Sequence, residues 1–296
     1  MPISDFLSDL TNPDLAFLAR ALMVSVIAAV VCGVVGTHVV LRGMAFIGDA
    51  VAHAVFPGVA VAFVVQGSLV VGGIVAGLVT AVLVAVFSQN RRVREDAVIG
   101  VFFVAAFALG IVVISRSPAY SGSLQQFLFG SIVGIPERDV VLVAVTGLAI
   151  LTALAIGHRI LVTDSLDRES AGSMGLPVFW VDLVLYVLVT LAIVISLQTI
   201  GNILVLALLI TPAATARLLT DHLGIMMTLA PVIGAGSAVV GIYLSWSFDT
   251  PVGGTIVLVA TGCFILAWLF GPRHGLLAAR RRTRTDSIDA GQTVDT

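Results

Sequence analysis

The chain is 296 residues long, 59% hydrophobic and 11% charged, with a formal net charge of −2 and a mean hydropathy of +1.13. That balance excludes an ordinary soluble domain, and nothing in it provides the basic surface a nucleic-acid-binding protein needs. The apolar stretches run to about 18–25 residues, enough for an α-helix to cross about 30 Å of hydrocarbon, whereas a barrel shows short alternating strands. The expected fold is therefore all-α, a polytopic transmembrane helical bundle.

The first residues, MPISDFLSDLTNPD, are acidic and lack a basic leader, so 1–14 reads as an extramembrane segment and the first apolar run as a retained span. Apolar runs then fall at 15–41, 45–66, 68–88, 97–115, 140–157, 178–198, 201–219, 224–246 and 254–270, giving eight to nine spans within a membrane domain of 15–272. Arg91, Arg92 and Arg94 cluster in the short loop 89–96, and Arg273, Arg280, Arg281, Arg282 and Arg284 in the tail 273–296. Positive charge marks both as cytoplasmic, and alternation between them places the loop 158–177 inside as well. Segment 121–135, with Gln125 and Gln126, is too short and polar to span and reads as an external interfacial or re-entrant helix. From Arg280 onward the tail lacks apolar periodicity and is expected to be a disordered cytosolic segment.

The second run, RGMAFIGDAVAHAVFPGVAVAF, carries Asp49 and His53 four residues apart, on one helical face. If the span begins near Arg42, they lie about 10 Å and about 16 Å along the axis, close to mid-membrane. An aspartate there costs roughly 2.5–3.5 kcal/mol on insertion scales, so such a group faces a bundle interior or an aqueous path. Pro57 cannot donate to the carbonyl of His53, so the helix is expected to kink beside the histidine. A carboxylate oxygen and an imidazole nitrogen without a thiolate suit Mn²⁺, Zn²⁺ or Fe²⁺ better than Cu⁺. Two ligands bind weakly, but a homodimer brings four together. The same spacing also suits a proton relay or a packing pair.

Other polar residues carry less. His38 reads as an interfacial or hydrogen-bonded histidine, Asp182 and Asp249 as water-reachable residues near span ends, and His158, His222 and His274 as solvated groups on cytoplasmic surfaces. Thr211, Pro212 and Thr215 mark a second expected kink, with Asn202 near the start of the same run. Gly73 and Gly77 are a helix-packing spacing. Cys32 and Cys263 each lie inside an apolar run with no metal-type or disulfide framework.

The chain contains no lysine, so it has no phosphate-binding loop of the form GxxxxGK[ST], and ATP, if used, must bind another chain. A docking surface for that partner is expected in the loop 165–178, SLDRESAGSMGLPV, which can form a short helix ended by Gly175 and Pro177. A plain solvated connector fits the same residues.

The sequence resembles the metal-ion family of ABC-importer permeases, the membrane subunits of bacterial manganese, zinc and iron uptake systems. The resemblance covers about residues 16–275 and is carried by VLRGMAFIGDAVAHAVFPGVAVAF, REDAVIGVFF, LQQFLFGSI and QTIGNILVLALLITPAATARLLT. It implies cation passage at Asp49 and His53, and ATPase coupling through DRESAGSMGLPV at Glu169, Ala171 and Gly175. It further implies a permease homodimer in the cell membrane, two cytosolic ATP-binding subunits carrying the ATP, and an extracellular metal-binding protein. The metal is then the substrate, and no cofactor is bound by this chain. The competing readings are a proton- or ion-coupled secondary transporter and an ABC permease for a metal chelate. An intramembrane enzyme lacks support, because no Ser/His/Asp or HExxH arrangement is present.

Overall fold

The computed structural model describes residues 3–44, 46–89, 95–115, 135–166 and 168–271. The arginine cluster at 91, 92 and 94, nearly all of segment 121–135 and the tail with its arginines and His274 lie outside the described residues. The helices are α1 (Ile3–Thr11), α2 (Ala16–Leu41), α3 (Ile47–Ala54), α4 (Phe56–Val64), α5 (Leu69–Phe87), α6 (Glu95–Ile114), α7 (Glu137–Leu166), α8 (Arg168–Ser173), α9 (Val178–Ile200), α10 (Asn202–Leu219), α11 (Leu223–Phe248) and α12 (Val252–Phe270). Among the described residues eight segments are long and apolar enough to cross a membrane, taking α3 and α4 as one span, and Ala97–Val113 within α6 is a shorter ninth. These match the nine runs read from the sequence.

The bundle is built around α2, which packs against α7, α9, α10 and α11. Its apolar residues surround the helix on all sides, the pattern of a helix enclosed by protein. Val24, Ala28, Cys32 and Val35 are fully buried against the other central helix, α9, with Leu185, Val189 and Ile193, and their neighbours. The outer helices reverse the usual soluble pattern. On α5 the inward face is Gly73, Gly77, Thr80, Ala81, Val84 and Ala85, mostly small, while Val71, Val75, Val79, Val82 and Val86 point outward. Small residues inside and large aliphatics outside are what lipid solvation and close helix packing select. Gly73 and Gly77 both press on Val55, at 3.0 Å and 3.2 Å from where a Cβ would stand.

Helices α2 and α7 run parallel, because Val31 lies against Gly147 and Arg42 pairs with Asp164 further along both. Parallel spans one and five need an odd number of crossings between them, so with α3–α4 and α5 both long enough to span, α6 has to cross as well.

A short N-terminal helix was not anticipated from the sequence. Helix α1 lies against α11, with Phe6 edge-on to Tyr243 at 5.4 Å and Trp246 Nε1 donating to Asp9 Oδ2 at 3.0 Å. The first span extends from a 3₁₀ turn at Pro13–Leu15 capped by the Asn12 side chain.

The connection between α2 and α3 is sunk into the bundle. Gly43, at φ +71°, ends α2 with the paired bonds of a Schellman motif, Gly43 N–H to Val40 O and Met44 N–H to Val39 O, both 3.1 Å. Met44 is 1% exposed and its sulfur meets the Tyr186 hydroxyl at 3.9 Å. No atom would contact a Cβ on Gly43, so Gly43→Ala isolates backbone strain. It is expected to lower stability by about 1–2 kcal/mol, read as a lower thermal midpoint in detergent.

Two sequence expectations change. Asp182 is not reached by water but fully buried and paired with Arg42. His38 is not interfacial: it is fully buried, with neither ring nitrogen hydrogen-bonded. Helix α10 continues through Pro212 as one element, with Thr215 Oγ1 donating to Thr211 O at 2.7 Å.

Candidate functional site

Span two is broken where Pro57 predicts. Helix α3 ends at Ala54, Val55 joins it to α4 with dihedrals that stay helical, and Pro57 occupies the first turn of α4, where its missing N–H is tolerated. The span starts at Ile47 rather than Arg42, so Asp49 and His53 are only about 3 Å and about 9 Å into α3. Their depth is nevertheless central. Gly48 packs on the Leu209 side chain, as does Gly36 of α2 on the Leu209 backbone, and Leu209 is near the middle of α10.

The face of α3 bearing Phe46, Asp49 and His53 is the uncovered one. Phe46 is 69% exposed, and the side chains of Asp49 and His53 are 43% and 21% exposed. The histidine ring is held from behind by Phe103 at 5.2 Å and Phe107 at 5.0 Å, both from α6. Its Nε2 stands 3.5 Å from Asp49 Oδ1, at the outer limit of a hydrogen bond, and its buried Nδ1 has no hydrogen-bond partner. A packing pair would close this contact and satisfy the ring. Instead a carboxylate and an imidazole point together at an open side of the chain, in a region where lipid cannot solvate charge. No cluster of three or more His, Cys, Asp or Glu able to hold a metal occurs among the described residues. Asp49 and His53 offer two candidate ligands, fewer than the four or more that transition-metal sites normally use.

The loop after α7 forms the short helix expected from its sequence. Helix α8 ends in a second Schellman motif, with Gly175 at φ +77°, Gly175 N–H bonded to Gly172 O at 3.0 Å and Leu176 N–H to Ala171 O at 3.1 Å. Ala171 is fully buried against its own chain, whereas Gly172, Ser173, Met174 and Gly175 are exposed. The face available to a partner is thus 172–175. The side chain of Glu169 lies outside the described residues.

Sequence reading missed a buried ionic cluster. Arg42, 7% exposed, donates from Nη1 to Asp182 Oδ1 at 2.7 Å, from Nη2 to Asp164 Oδ2, and from Nε to Ser165 Oγ at 3.1 Å. Arg42 and Asp182 sit near the ends of apolar runs and Asp164 in the loop 158–177, placements that look interfacial when read singly; only the tertiary arrangement puts them together.

A bundle of apolar-faced helices long enough to cross a membrane, with a carboxylate and an imidazole on one uncovered helix face, is the architecture of an integral membrane protein with a polar path. The model of the ABC 3 transport family matches residues 14–271, and the chain belongs to that family. It is 41% identical over 262 residues to the manganese transport system membrane protein MntC of Halalkalibacterium halodurans, covering 88% of this chain and 90% of that one. It is 37% identical over 268 residues to the chelated iron transport system membrane protein YfeC of Yersinia pestis, covering 90% and 91%. The solved structure of PsaBC from Streptococcus pneumoniae in complex with a Fab superposes with a TM-score of 0.82 at 35% identity, covering 94% of this chain and all of that one. The chain is a multi-pass permease subunit of an ABC transporter.

Proposed function

We propose that this permease imports a divalent transition-metal ion, with manganese, zinc and iron the chemically matched candidates. The carrying observation is the partly exposed Asp49–His53 pair, with Nε2 and Oδ1 3.5 Å apart rather than closed into a tight hydrogen bond. Oxygen and nitrogen ligands of intermediate softness suit these ions. The manganese and iron transport names of relatives at 41% and 37% identity support the same class.

The incomplete ligand set implies a second copy. In a homodimer the uncovered faces of α3 meet, so that two aspartates and two histidines surround the path and the charged groups leave lipid. Cytosolic ATP-binding subunits dock on the exposed turn 172–175, and an extracellular metal-binding protein delivers the ion to the opposite side. ATP hydrolysis in the partner switches access, and the ion is released because the two states bind it with different affinity.

The test is elemental analysis of metal-starved cells expressing the chain with its ATP-binding and metal-binding partners. Accumulation of one metal, lost when the ATP-binding subunit is inactivated, is the expected result. Uptake that persists without ATP hydrolysis would favour a proton-coupled carrier. No ionic accumulation, but uptake of a chelate, would move the substrate to a larger complex.

A further inference from the structure

The two carboxylates held by Arg42 bracket one loop. Asp164 lies in the last turn of α7, just before α8, and Asp182 lies near the start of α9, just after the exposed turn ending at Gly175. Arg42 caps α2 and leads through the buried Gly43–Met44 turn into α3, seven residues before Asp49. One planar guanidinium therefore links both ends of the loop 165–178 to the start of the helix bearing the ligand pair. A lysine, with a single charge centre, cannot hold two carboxylates and a hydroxyl in that fork.

Stability is a poor account of this cluster. Asp164 Oδ1 has no hydrogen-bond partner, and apolar replacements of buried ion clusters are often as stable. The geometry serves instead as a stiff mechanical joint, because charge-assisted bonds at 2.7 Å resist being stretched one at a time.

We propose that Arg42 is a positioning residue that transmits movement of the loop 165–178 to Asp49 and His53, with Asp164 and Asp182 as its two handles. This rests on the docking of an ATP-binding partner at that loop. When the partner moves α8, both handles move, Arg42 follows, and the α2–α3 turn shifts α3 relative to the path.

The experiment uses the full permease assembled with its ATP-binding subunits in proteoliposomes. Asp164→Asn and Asp182→Asn each remove one carboxylate from Arg42 while keeping the side-chain shape, and Arg42→Lys keeps the charge without the fork. Two readouts are taken per assembled complex: Mn²⁺ uptake per ATP hydrolysed, and the nucleotide-dependent change in thiol labelling of Phe46→Cys in a Cys263→Ser background. Expected are normal co-purification of the ATP-binding subunit, near-normal basal hydrolysis, and a fall of roughly tenfold in both readouts for each variant. Combining Asp164→Asn with Arg42→Lys is expected to add little to Arg42→Lys alone, because the two act through one joint. Unchanged nucleotide-dependent labelling in all three variants overturns the proposal, as does loss of co-purification in step with uptake, which marks a merely structural role. The labelling readout needs no transported metal. Absence of Mn²⁺ uptake by the wild type alongside intact labelling would count against the substrate reading while still judging the joint.

Discussion

Asp49→Asn and His53→Gln are expected to reduce metal accumulation by at least about tenfold to a hundredfold at matched membrane abundance, the range produced by disturbing even the outer partners of metal ligands. Both substitutions keep approximate size and polarity, so they change the ligand set rather than the fold. Asn retains an oxygen but not the charge that balances a divalent cation. Gln removes the imidazole while leaving a group to pack between Phe103 and Phe107. His53→Ala is the more disruptive probe, because it also opens a void behind the ring. The shared-site arrangement adds a sharper expectation. In membranes containing purified mixed dimers, one wild-type and one Asp49→Asn, transport is expected to fall to the level of the double-variant dimer. Half-activity would instead mean that each copy binds its ion independently, and wild-type activity of the homodimeric variants would remove the pair from the path altogether.

Much of the fold is legible in the sequence because the bilayer imposes one length rule on every span. The nine runs each became a helix or a broken helix, since an apolar segment with no water to bond must close its own backbone hydrogen bonds. The break at Val55 is legible for the same reason: Pro57 removes one donor, and the chain has to rearrange locally around it. What escapes is whatever depends on the depth of one helix against another. Arg42 looks like a span boundary, yet Gly43 turns the chain back inside the bundle and buries it. His38 sits near the end of a run and is fully enclosed because α2 is central. Pro212 leaves α10 unbroken, with Thr215 bonding back to Thr211 on the same turn. For the site, the i, i+4 spacing locates the pair and its face, but its openness to one side emerges only once α6 is seen to cover the histidine from behind. The buried position of Ala171, which leaves 172–175 as the exposed face of α8, follows from packing and has no local signal in the residues around it.

Gly58→Val is expected to destabilise the permease beyond the usual 1–3 kcal/mol of an overpacked core and to cut transport further than the loss of folded protein explains. Helices α4 and α5 cross backbone to backbone. A Cβ on Gly58 would strike the Gly72 carbonyl oxygen and come within 2.6 Å of Ala76 Cβ, while one on Gly72 would strike the Gly58 carbonyl and reach 2.7 Å from Ala62 Cβ. No side-chain rotation relieves a clash with a carbonyl, so the helices must separate. Because Gly58 follows Pro57 directly, the displacement acts on the junction between α4 and α3, which carries His53. The reciprocal variant Gly72→Ala should resemble Gly58→Ala. The double variant is expected to cost less than their sum, since one separation accommodates both methyl groups. Gly100→Ala is the control: its Cβ meets no atom within 4 Å, and the gain in helix propensity is expected to stabilise by up to about 1 kcal/mol. Thermal unfolding in detergent reads the first effect and metal uptake per folded dimer the second. Equal midpoints for Gly58→Val and Gly100→Ala would mean that α4 and α5 do not approach so closely, and the α3–α4 junction at Val55 would then lose its support from behind.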